Sequence, residues 1–133
     1  MITAGRVGLW AAVAAYMAVI FVLSSQSSLP NLGFQWEDKL LHVVAFAGLG
    51  VLALEAAHGG LRKPALGATV SAMLLTAGYG MVDEFHQSTV GGRDATVGDV
   101  VADFVGALVG LAIFAWLVAR RSSPAGNSGR GAV

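Results

Sequence analysis

The sequence predicts an all-α membrane protein, four transmembrane helices in a small bundle with both termini cytoplasmic. Three observations predict it. Hydrophobic residues make up 56% of the chain and charged residues 12%, where a soluble domain carries roughly a quarter charged. The mean hydropathy is +0.70. The charges are also gathered: Asp83, Glu84, Asp94, Asp99 and Asp103 stand within residues 80–106, out of 8 Asp and Glu in the whole chain.

A chain of 133 residues has room for one domain. Zero formal net charge gives no global basic character and argues against a nucleic-acid partner. The absence of cysteine excludes disulfides, thiolate metal sites and a cysteine nucleophile.

The spans follow in order. Residues 7–26 carry no charge and match the ~20 residues an apolar helix needs to cross. They could serve as a signal peptide, but the run is longer than a usual signal core and "VLSSQSS" offers no A-x-A cleavage site, so we read a retained helix. The second span is 39–57. Its uncharged core, 40–54, is short and contains His42, so it crosses only if its polar ends reach the interfaces. The third is 64–83, with Pro64 suited to a first helical turn. The fourth is 97–119, with Asp99 and Asp103 inside its start. Residues 1–121 thus form the transmembrane domain, and 122–133, "SSPAGNSGRGAV", are expected to be a disordered polar tail.

Four spans put Arg6, Arg62, Lys63, Arg120, Arg121 and Arg130 on one side, leaving Lys39 and Arg93 on the other. The positive-inside rule makes the first side cytoplasmic, so the 84–97 loop faces outward.

Spacing then places the polar residues. Asp83 lies ~28 Å along the third span from Pro64, at the outer edge of the hydrocarbon. Asp99 and Asp103 are i and i+4 on the fourth helix, as Asp38 and His42 are on the second, and Asp83 and His86 are i and i+3 if the third helix continues. These groups share one outer-leaflet layer, where ionisable residues face the bundle interior and are functional candidates. Gly98, Ala102, Gly106 and Gly110 recur every four residues on the fourth helix, a stripe that by itself reads as ordinary close packing. Glu37 reads as an interfacial cap, and Glu55 and His58 as residues of the opposite interface.

Adjacent residues on a helix diverge by ~100°, so Asp83 and Glu84 cannot both face one spot unless the helix ends there. Glu84, above Gly80, has space beside it for a ligand or a neighbouring helix. We therefore expect Glu84 to face the cavity, with Asp83 orienting His86 or Arg93, and Asp99 to pair with or lie beside His42 or Arg93. The candidate catalytic residues are Glu84, His86, Asp83 and Asp99; the candidate substrate-binding residues are Arg93, Gln87, His42, Asp103 and Lys39. Histidine with carboxylates is also a ligand set for a divalent metal, with His86, Glu84, Asp99 and His42 as candidates.

"SSQSS" after the first span, "DKLLHVVAFAGLG" opening the second and "YGMVDEFHQSTVGGRDATVGDVVADFVGALVG" resemble the VanZ-like family, from Ser24 to Gly110. Asp83, Glu84, His86, Gln87, Gly92, Arg93, Asp99, Gly106 and Gly110 fall on matching positions. Gly91 stands where the family often has Pro, Thr89 where an aromatic is common, and Asp103 where Asn is usual, which adds a negative charge.

The resemblance implies a small multi-pass protein of the bacterial cytoplasmic membrane, in a family named after a teicoplanin-resistance protein. The expected function is to act on or bind an amphipathic envelope molecule, a lipid-linked precursor or a lipoglycopeptide, at an outward-facing intramembrane site. Turnover and binding are both open at this stage. A non-catalytic envelope scaffold is the alternative, and a transporter subunit a third, since no internal repeat is visible. The bilayer is a partner in each case, and a homo-oligomer remains open.

Overall fold

The computed structural model describes residues 4–27, 36–59 and 64–122. They form four helices: α1, Ala4–Ser24; α2, Glu37–His58; α3, Leu66–Gln87; and α4, Val97–Ser122. Arg62, Lys63 and Arg130, used above for orientation, lie outside the described residues, as does the tail from 123 onward.

Three of the helices, α1, α2 and α4, are long and apolar enough to cross a membrane. The expected third span differs. It is as long as α2, at 22 residues, but Gly67, Ser71, Thr76, Gly78 and Gly80 take the place of large apolar side chains. Its bounds are also shifted. Pro64 lies ahead of the first turn, because Ala65, at ψ 150°, is still extended at the N-cap. At the other end the helix runs on through Asp83, Glu84 and His86 to Gln87.

The helices alternate in direction. The end of α1, the start of α2, the end of α3 and the start of α4 meet at one end, where His86 contacts Ser25 and His42 contacts Asp103. At the opposite end Arg6 donates to the Ala57 carbonyl oxygen at 3.0 Å. α2 is central: it packs on α1, α3 and α4, whereas α1 touches only α2 and α3 among the described helices.

The closest seam is α2 on α4, and the small-residue stripe makes it. A Cβ on Gly106 would stand 3.0 Å from the Phe46 Cβ and the Val43 Cα, and one on Gly110 would stand 3.1 Å from the Ala47 Cα. Both glycines let the two backbones touch. Beneath the polar end, Phe46, Leu49, Val13 and Ile20 form one apolar cluster. Leu54, Ala72, Leu111, Phe114 and Val118 form another toward the opposite end.

Candidate functional site

The start of α4 is fixed first. Thr96 precedes the helix, and Asp99 three residues on accepts from the Thr96 N–H at 3.0 Å and from its hydroxyl at 2.7 Å. This T-x-x-D pattern is a capping box signature. The other Asp99 oxygen is ion-paired with Lys39 of α2, which also donates to the Thr96 hydroxyl at 3.1 Å. Asp99, 1% exposed, is therefore held by Lys39 and Thr96. It lies beside His42, as expected, but pairs with neither His42 nor Arg93.

One turn deeper, Asp103 Oδ1 receives His42 Nδ1 at 2.7 Å. Its side chain fits because α3 has no Cβ at Gly80: such an atom would stand 2.9 Å from both the Asp103 Cβ and Oδ2. The space expected beside Glu84 exists, and α4 fills it with a carboxylate. The far nitrogen of His42, Nε2, lies 3.9 Å from Glu84 Oε1.

Asp83 and Glu84 both reach this centre, contrary to the expectation that a continuing helix would send them to different places. Asp83, Glu84, His42 and Asp103 each offer a ligand atom within 4.8 Å of the others. Two adjacent residues can straddle the one face of α3 that meets α2, and the longer glutamate covers the remaining distance.

Asp83 is linked onward. Its Oδ2 accepts from Gln87 Nε2 at 2.8 Å, and Gln87 Oε1 accepts from Arg93 at 2.9 Å. Asp83 thus acts on Arg93 through Gln87 rather than directly. Arg93 folds back over the bundle after a turn at Gly92, whose φ of 85° is a conformation only glycine adopts readily. Its guanidinium also lies 4.0 Å from Asp38.

His86 is not brought to the centre. It turns to α1, where its ring stacks on Phe21 at 4.2 Å and its Nε2 lies 2.9 Å from the Ser25 hydroxyl. On a helix that continues past Glu84, position 86 points ~160° round from 84 and lies ~60° to the far side of 83, which turns the histidine toward α1.

A cavity of about 390 Å³ opens between α1 and α2. Tyr16, Ile20 and Leu23 form one wall and Leu41, Val44, Ala45 and Phe46 the other, while His42, Asp83 and Arg93 close its polar end.

A family model described as VanZ/LLP1 matches residues 9–118. The chain belongs to that family. No curated protein and no solved structure matches it. The VanZ/LLP1 match reaches into all four helices and includes every polar residue of this site.

Of the sequence candidates, the VanZ-like bundle joins His42, Asp83, Glu84 and Asp103 in one centre. Lys39 and Asp99 form a pair beside it, and Gln87 and Arg93 a rim. Thr96 was not singled out from sequence, and Ser24 and Ser25 entered only within the SSQSS resemblance, with no partner assigned. Thr96 carried a readable signal in its spacing to Asp99. No spacing could pair the serines, since their partners Gln87 and His86 are more than sixty residues away.

Proposed function

We propose that this VanZ-like protein crosses the bacterial cytoplasmic membrane four times, with both termini cytoplasmic, and binds an amphipathic envelope molecule at its outward-facing end. The carrying observation is the cavity between α1 and α2: apolar along its walls and closed by Arg93, His42 and Asp83. An acyl or prenyl chain matches the walls, and an anionic headgroup matches the planar fork of Arg93. A lipid-linked precursor or a lipoglycopeptide has both parts, which is the link to teicoplanin resistance.

Support for α3 as a fourth span comes from its outer face, where Val70, Leu74, Met81, Val82 and Phe85 are exposed. Burying them in lipid removes the apolar surface that a soluble protein avoids. At the end of α4, Arg120 lies over the Trp116 ring at 4.0 Å, a pairing suited to a membrane interface.

The test is direct binding to the full chain in lipid nanodiscs, comparing a polyprenyl phosphate with the uncharged polyprenol of the same length. The phosphate should bind more tightly, and Arg93→Gln should remove that preference while leaving polyprenol binding unchanged. Equal affinity for the two lipids in the wild type would overturn the reading.

A further inference from the structure

We infer that the buried end of the bundle is a binding site for a divalent transition-metal ion of the Mn2+ or Zn2+ class, held by His42, Asp83, Glu84 and Asp103. Their donor atoms lie within 4.8 Å of one another. All four residues are deeply buried, at 6%, 2%, 6% and 1% exposure in that order.

The second observation is what these groups lack. Asp83 Oδ1, both oxygens of Glu84 and Asp103 Oδ2 are buried with no hydrogen-bond partner among the described residues. A carboxylate only accepts, and burying it unpaired is costly. The nearby cations are committed elsewhere, Lys39 to Asp99 and Thr96, and Arg93 to Gln87. One divalent ion would serve all the free oxygens together.

His42 has the right orientation. Its Nδ1 lies 2.7 Å from Asp103 Oδ1 and its Nε2 faces Glu84, so each ring nitrogen stands against a carboxylate of the set. Nε2 and Glu84 Oε1 are 3.9 Å apart, inside the ~4.4 Å that two donors each ~2.2 Å from one ion can span. Three carboxylates with one imidazole make a mixed oxygen and nitrogen set. The imidazole suits Zn2+ and the carboxylates suit Mn2+.

A second grouping, Asp38, His42 and Asp99, is also compact. It is the weaker choice, because both Asp99 oxygens are already taken and the Asp38 side chain is 43% exposed. The centre rests on these four side chains and not on the lipid reading.

The experiment loads the full chain in nanodiscs with Mn2+ or Zn2+ after chelator treatment, removes free ion and measures bound metal by mass spectrometry. The wild type should retain about one ion per chain, and Glu84→Gln and Asp83→Asn should weaken binding by at least ~10-fold. His86→Gln should bind as the wild type does. Should the carboxylate variants fail to fold, X-ray absorption on the Zn2+-loaded wild type decides: one imidazole among oxygen ligands supports the site, and a shell without imidazole overturns it. Wild type retaining no ion, or a folded Glu84→Gln binding with undiminished affinity, also overturns it. Lipid binding is read separately, so either reading can fail alone.

Discussion

Asp103 occupies the volume that a side chain on Gly80 would need. A Cβ there would stand 2.9 Å from the Asp103 Cβ, an atom with no freedom to swing aside. The absence of one methyl group on α3 thus admits a carboxylate from α4 to the point where it holds His42 of α2. Three helices are keyed together by this contact.

Gly80→Ala should therefore push α3 from α4 and cost about 1–3 kcal/mol, as overpacking does. It should also break the Asp103–His42 contact. Thermal unfolding in detergent measures the first effect. A double-mutant cycle with Asp103→Gly measures the coupling, because removing the Cβ together with the carboxylate should restore much of the loss. Full stability in the single variant would refute the keyed contact.

Lys39→Met leaves the buried Asp99 carboxylate with only the Thr96 cap. Breaking a fully buried pair costs about 3–5 kcal/mol, and the Lys39 side chain is 32% exposed, so a loss of about 1–3 kcal/mol is expected. Thr96→Ala should cost about 1 kcal/mol. The two changes share Asp99 as partner and should be non-additive; strict additivity in thermal unfolding would count against the shared network.

Glu84 and His86 were both sequence candidates, and the structure separates them. Glu84→Gln removes a buried charge whose oxygens have no hydrogen-bond partner, so metal-free protein should become more heat-stable while metal retention falls. His86→Ala should lose the Phe21 stacking, about 0.5–1.5 kcal/mol, and leave both metal and lipid binding in place. The reverse pattern would return His86 to the centre.

Orientation can be tested with single cysteines at Thr89 and Leu61 and a membrane-impermeant thiol reagent on intact cells. Thr89→Cys, at the polar end, should label, and Leu61→Cys should not. Labelling at 61 alone would invert the orientation and turn the cavity's polar end to the cytoplasm.

The sequence by itself determined the helices, because apolar runs of bilayer length and their polar ends are local properties. It also determined that His42, Asp83, Asp99 and Asp103 share a layer, since depth follows from position along each helix. The glycine stripe that seats α4 on α2 was legible for the same reason. Pairing was not legible. Lys39 and His42 both lie near Asp99 and Asp103, and only the rotation of α2 against α4 assigns lysine to the first and histidine to the second. Rotation likewise sent His86 to Phe21 and brought two adjacent carboxylates to one point. The cavity, too, depends on how far α1 stands from α2. Helix rotation and separation are set by packing many side chains at once, and no spacing within one helix encodes them.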